Sequence, residues 1–179
     1  MVEIEKKYRL TEERAKEVTD ALQRGGGKFI REDLEENTIY GGEILAESGA
    51  VIRIRKTGTS AVWTYKRRLE NRTEAKHHVE HETTISDPDA AARILWELGL
   101  RPRLVYEKRR KIWQFRDCEV VIDELPFGLF MEIEGSLTSI KAAEMLLDIE
   151  DLEIEQRTYP ALTATAGTKV GDVVESRFN

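Results

Sequence analysis

The feature that most constrains this chain is a charged side chain at every second position, in segment after segment. Residues 2–10 read Val-Glu-Ile-Glu-Lys-Lys-Tyr-Arg-Leu. Strand side chains alternate between faces, so Glu3, Glu5, Lys7 and Arg9 share one face. Val2, Ile4, Tyr8 and Leu10 share the other, with Lys6 the exception. One such segment is an ordinary edge strand with a solvated face; recurrence changes its meaning. Residues 51–56 set Arg53 and Arg55 against Ile52 and Ile54, and residues 60–69 set Val62, Thr64, Lys66 and Arg68 against Ala61, Trp63 and Tyr65. His78, Glu80 and Glu82 are in phase over 76–86, as are Lys108 and Arg110 over 103–115. Residues 119–125 carry Asp123, and 129–135 return the carboxylate-aliphatic-carboxylate pattern as Glu132-Ile133-Glu134. Between them Pro126-Phe127-Gly128 predicts a tight turn and antiparallel pairing. With a strand over 28–40 the count is about eight, mostly in hairpin order.

Helices are expected between pairs of strands. Thr11 caps one running to about Arg24, with Ala15, Val18, Ala21 and Leu22 on one face and Gly25-Gly26-Gly27 as its stop. Asp87 followed by Pro88 gives an acceptor at the N-cap and proline at N1 of a second, ending at Leu98-Gly99. Two more are expected near 139–147 and 158–164. Residues 41–49 and 70–75 read as loops, and the tail shows no period. An ordinary barrel is apolar inside. Here two arrangements satisfy the pattern. Either the apolar faces pack outward under helices and the charges line a wet tunnel, or an open sheet turns its charged face to solvent. Periodicity does not separate the two. Either way the class is α+β, and 179 residues suffice for one domain, 1–179, with a sizeable core.

Composition narrows the partners. The net charge is −6, and over a third of residues are charged with both signs mixed. That argues against bulk nucleic acid or an anionic membrane as the main partner, while leaving room for a local basic site for a small anion. Cys118 is the only cysteine, so neither a disulfide framework nor a cysteine-based zinc cluster is expected. No apolar run has the length of a membrane span, and the charged motif at residue 3 is unlike a signal peptide; a cytoplasmic protein is expected. His77, His78 and His81 crowd one strand, but His77 and His78 point to opposite faces, which argues against a shared zinc. Trp63, Trp96 and Trp113 are expected to pack in the outer layer or core.

Taken in order, these motifs resemble the CYTH family of triphosphate tunnel enzymes, which includes class IV adenylyl cyclases and thiamine triphosphatases. Glu3-x-Glu5-x-Lys7 is similar to its ExExK signature, Ile52-Arg53-Ile54-Arg55 to its LRIR strand, and Thr64-Tyr65-Lys66 to its TYK strand. Glu80-x-Glu82, Leu98-Gly99-Leu100 and Lys108-Arg109-Arg110 follow in sequence. Asp123 and the run Leu125 to Glu134 resemble the closing D…LGxFxEIE hairpin, and Thr158-Tyr159 the late SY element. The resemblance spans roughly residues 2–160. His78 departs from it, standing where many members have arginine, and Lys169 is the candidate for a C-terminal lysine that some members bring to the substrate.

The resemblance implies an eight-stranded, mainly antiparallel β-tunnel with a charged interior and helices outside. A triphosphate concentrates negative charge, and forked guanidinium donors suit its oxygens. Arg53, Arg55, Lys66, Lys108 and Arg110 would supply them from three strands; the alternative is that they pair with carboxylates as structural ladders, the class in which Arg9 and Arg68 are left. Carboxylates beside phosphates make sense with Mg²⁺ or Mn²⁺ between them. Glu3, Glu5, Asp123, Glu132 and Glu134 are the expected ligands. By resemblance Asp123, Glu132 and Glu134 share one metal, while Glu3 and Glu5 place a second metal or the attacking water and Lys7 steadies carboxylates or phosphate. Glu80 and Glu82 divide between a site role and ion pairing. The expected partner is a small-molecule triphosphate, and a homodimer is compatible with the chain. Three functions stay open: hydrolysis of tripolyphosphate or an organic triphosphate such as thiamine triphosphate, cyclisation of ATP to cyclic AMP, and binding without turnover. The cyclase branch is associated with a His-Phe ahead of ExExK, which this chain lacks, and that favours hydrolysis.

Overall fold

The computed structural model describes residues 2–69 and 76–179. The loop expected at 70–75 lies outside the described residues. In chain order the elements are β1 (Val2–Leu10), α1 (Glu12–Arg24), β2 (Lys28–Gly41), α2 (Glu43–Ser48), β3 (Ala50–Lys56), β4 (Ala61–Leu69) and β5 (Lys76–Ile85). There follow α3 (Pro88–Glu97), β6 (Arg101–Phe115), β7 (Cys118–Leu125), β8 (Gly128–Glu134), α4 (Leu137–Leu147), α5 (Tyr159–Ala166), β9 (Thr168–Val170) and β10 (Val173–Ser176).

Local chemistry explains most boundaries. The Thr11 hydroxyl accepts from the Arg14 amide and Glu12 and Glu13 occupy the first turn of α1, the favourable end of the helix dipole for acids. Asp87 accepts from the Ala90 amide ahead of Pro88. The turn between β7 and β8 is tighter than expected, since Leu125 pairs directly with Gly128. Gly128 has φ 147°, a conformation that favours glycine.

Sheet order decides between tunnel and open sheet. The strands run β2-β3-β4-β5-β1-β8-β7-β6, and β6 pairs back onto β2. Every pairing in this ring is antiparallel. The long seam from Lys28 opposite Gln114 to Gly41 opposite Arg101 closes it. The tail supplies two more strands: β10 runs parallel to β6 at Leu104–Tyr106, and β9 pairs with β10.

Apolar faces point outward under helices. Val18 and Leu22 of α1 and Ile140, Ala143 and Leu147 of α4 pack on Trp113, Val120, Ile122, Met131 and Ile133. Leu45 of α2 and Ala91 and Leu95 of α3 pack on Tyr40, Ala50 and Ile54, with Trp63 and Tyr65 against them. Trp96 departs from expectation: it is exposed, with the Arg101 guanidinium 3.8 Å from its ring centroid. A third cluster joins Tyr159 and Leu162 of α5 to Ile39, Tyr106, Leu125 and Phe130, so α5 packs over part of one end of the ring. Among the described residues no helix is long and apolar enough to cross a membrane.

Candidate active site

The ring encloses a cavity of about 560 Å³, lined from all eight of its strands and by Thr158, Tyr159 and Pro160 at the start of α5. Arg53, Arg55, Lys66, Lys108 and Arg110 line it, as do Glu3, Glu5, Lys7, Glu80, Glu82, Glu132 and Glu134. Two-residue periodicity therefore aimed nearly every expected side chain inward. Asp123 is not among the lining residues and is fully buried. Lys169 lies in the exposed strand β9, away from the lining. Arg68, expected on a structural ladder, does line the cavity and donates to the Gln156 carbonyl.

The cations have partners. Arg53 meets Glu80 and Glu82 at 3.3 and 3.2 Å, and Arg55 meets Glu82 at 3.4 Å and Glu35 at 3.8 Å. Lys66 is 2.6 Å from Glu80 and within 3.9 Å of Glu3 and Glu5. Glu80 and Glu82 are thus ion-paired inside the cavity. Lys108 lies 3.3 Å from Glu35. Lys7 is 3.3 Å from Glu132, and its ammonium sits 3.5 Å from the Tyr159 ring centroid. Lys7 and Lys76 both donate to the Arg157 carbonyl, tying the segment before α5 to the ring.

The carboxylates fall into two electrostatic groups. Burial raises the Glu35 carboxyl, but Lys108, Arg110 and Arg55 outweigh it and bring it down to about 2. Glu80 likewise falls to about 2: burial is overcome by Lys66, the Glu3 hydrogen bond and Arg53. Against burial, Lys7, Arg110 and Lys108 hold Glu132 well below the usual range. The second group has no such surplus of cations. Glu5 of β1 stands opposite Glu134 of β8, and Glu134 stands opposite Glu119 of β7. Burial first, then Glu119 and Glu5, lift Glu134 to about 7. Burial and a hydrogen bond to Glu80 lift Glu3 to about 8.

Like charges directly opposite on neighbouring strands destabilise a sheet, and a divalent cation relieves them. An all-oxygen donor set suits Mg²⁺ or Mn²⁺, so the side chains around Glu5 and Glu134 fit such an ion in chemistry. Among the described residues no three acidic or histidine side chains stand close enough together to enclose one.

Sequence reasoning missed Glu35, Lys76, Tyr106 and Glu119, and singled out Tyr159 only as part of the late SY element, with no role. Glu35 lies in the run Glu32-Asp33-Leu34-Glu35-Glu36, where nothing alternates. Glu119 was in reach, two and four residues before Val121 and Asp123 on the same face. His78 is buried and faces the cavity. Burial and nearby Lys66 push it down to about 3, leaving the imidazole neutral.

The model of the CYTH domain matches residues 1–160. The chain belongs to the CYTH family. The fold is shared with the PH1012 protein of Pyrococcus horikoshii OT3, at 23% identity and TM-score 0.78, covering 89% of this CYTH chain and 98% of that one. It is also similar to HpAC1 of Hippeastrum, for which a dominant triphosphatase activity is described, at 17% identity and TM-score 0.71 over 94% and 98% of the two chains. The Pct1 RNA triphosphatase of Schizosaccharomyces pombe is more distant, at 14% identity and TM-score 0.51 over 84% and 78%. At these identities the structural likeness carries the fold. No curated protein matches this CYTH chain in sequence.

Proposed function

We propose that the protein is a divalent-metal-dependent triphosphatase that releases the terminal phosphate of tripolyphosphate or of an organic triphosphate. The observation that carries this reading is a cavity inside a closed ring of strands, with guanidinium and ammonium groups on β3, β4 and β6 and the facing carboxylates Glu5, Glu134 and Glu119 across β1, β8 and β7. Low-dielectric walls concentrate the field of such groups. Arg53, Arg55, Lys66 and Lys108 would exchange their carboxylate partners for phosphate oxygens, with Arg110 presented beside them. Glu5 and Glu134, with Glu3 beside them, would hold Mg²⁺ or Mn²⁺. When bound, that ion supplies charge neutralisation on the phosphates and an activated water. Glu3, whose carboxyl lies near 8 in the metal-free protein, is mostly protonated at neutral pH and would give up that proton when a cation binds beside it. Catalysis here is positioning and electrostatics, as phosphoryl transfer requires.

The test is turnover of tripolyphosphate, thiamine triphosphate and ATP with Mg²⁺ or Mn²⁺, resolving orthophosphate, pyrophosphate and cyclic AMP. Tripolyphosphate is expected to turn over faster than ATP and give orthophosphate plus pyrophosphate. Stoichiometric cyclic AMP and pyrophosphate from ATP, with tripolyphosphate acting only as an inhibitor, would overturn hydrolysis in favour of cyclisation. Tight binding without turnover of any of the three would overturn both in favour of a binding module.

A further inference from the structure

The family resemblance puts Asp123 with Glu132 and Glu134 around one metal, and the geometry disagrees. Asp123 has no solvent exposure. Its Oδ1 accepts from Arg110 Nε at 2.7 Å, and its Oδ2 accepts from Arg110 Nη2 at 2.6 Å. Oδ2 also accepts from the Tyr159 hydroxyl at 2.7 Å and faces Lys108 Nζ at 3.5 Å. A carboxylate offers about four acceptor sites, and here a bidentate guanidinium, a phenol and an ammonium take them up. A cation reaching Asp123 would have to displace the Arg110 fork and would then sit beside the Lys108 ammonium. Glu134, on the strand next to Asp123, has the opposite surroundings, with carboxylates on both flanking strands.

The donor from α5 is itself held in place. Tyr159 is buried, meets Phe130 edge-on at 5.6 Å between centroids, and carries the Lys7 ammonium over its ring. Burial and the neighbouring Asp123 keep its hydroxyl protonated, so it stays a donor. Arg110 Nη2 also reaches Glu132 at 2.7 Å. Arg110 is therefore gripped by carboxylates on two strands, with Asp123 backed by a phenol from α5, while still lining the cavity.

We infer that Asp123 and Tyr159 are positioning residues, which fix the Arg110 guanidinium for a phosphate oxygen and stay outside the metal's ligand shell. This rests on the triphosphate reading above, with Arg110 as the group that touches substrate. Tyr159 acts through Asp123, and Asp123 through Arg110, so their effects are not independent.

The experiment separates metal affinity from substrate affinity. Mn²⁺ binding to the metal-free protein, without substrate, is measured by electron paramagnetic resonance, and KM and kcat for tripolyphosphate are measured in parallel. Glu134→Gln is expected to weaken Mn²⁺ at least ~10-fold, the low end for losing a metal-site partner. Asp123→Asn and Tyr159→Phe are expected to leave Mn²⁺ affinity unchanged. Tyr159→Phe should raise KM about 10-fold, the scale of one hydrogen bond to a charged group. In an Arg110→Lys background, which keeps the charge and loses the fork, Tyr159→Phe should add almost nothing. Loss of Mn²⁺ affinity in Asp123→Asn comparable to that in Glu134→Gln would overturn the inference. Additive effects of Tyr159→Phe and Arg110→Lys would overturn it too, and that cycle decides the matter if Asp123→Asn does not fold. Failure of the wild-type protein to bind tripolyphosphate would overturn the triphosphate reading first, and this inference with it.

Discussion

Glu132 and Glu134 are two residues apart on one strand and face the same cavity, yet their electrostatic surroundings are opposite. Glu132 sits among Lys7, Arg110, Lys108 and Lys76. Removing its charge leaves buried cations uncompensated, so Glu132→Gln should cost about 3 kcal/mol of stability in urea denaturation, the scale of a broken buried pair. Glu134 sits among carboxylates. Glu134→Gln should leave the metal-free fold intact, while activity falls at least ~10²-fold, the scale of one lost electrostatic contact to the transition state. Near-normal turnover of that variant at limiting metal would remove Glu134 from the site. The cradle has its own signature: truncating Arg53, Arg55 or Lys108 should weaken triphosphate binding far more than diphosphate binding, as calorimetry would show. Equal losses would mark these cations as structural.

Elements with strong local signals were legible, and those fixed by distant contacts were not. Thr11 and Asp87 mark helix starts by a side-chain acceptor, and the Pro126-Phe127 turn forces β7 and β8 together. The short helix α2 was hidden because Gly42 and Gly49 bracket it and read as loop; what holds it is Leu45, buried against α3 and β3 residues. The tail was hidden because β10 is parallel to a strand far away in sequence. Arg177, just past β10, pairs with Glu36 of β2 at 2.6 Å and Glu107 of β6 at 3.1 Å, across the seam that closes the ring. Ending the chain at Gly167 should therefore leave the ring folded but raise amide exchange at Leu104–Tyr106 and their β2 partners. Unchanged protection there would show that the tail does not brace the seam.

At the scale of the molecule, ring closure concentrates charge in a confined space, and that makes stability depend on pH. Glu3 and Glu134 rise from 4.5 to about 8 and about 7 on folding, so the folded state binds more protons than the unfolded state at neutral pH. Their contribution is full below 4.5 and is lost as pH rises through 7 to 8. His78 works oppositely, but only between about 3 and its ordinary 6.5, and Lys76, lowered by burial from 10.5 to about 8, opposes the two carboxyls only from about 8 upward. The melting temperature of the metal-free protein should therefore fall as pH rises from 6.5 to 8. Glu134→Gln should flatten that slope. A wild-type melting temperature that stays level or climbs across this window would show that the two carboxyls hold no such protons.

What the sequence determined by itself was orientation: a period of two fixes which side chains share a face, whatever the sheet then does. That is why Arg53, Arg55, Lys66, Glu132 and Glu134 could be named before any fold was known. Which charges neighbour one another was decided only by the tertiary structure. Registers such as Glu5–Glu134–Glu119, the β2–β6 closure and the arrival of Tyr159 from α5 are relations between residues far apart in the chain. A charge's energy depends on its neighbours within a few ångströms and on its burial. Periodicity could assign Asp123 to the charged face of a strand, but only packing could wrap it in Arg110 and Tyr159.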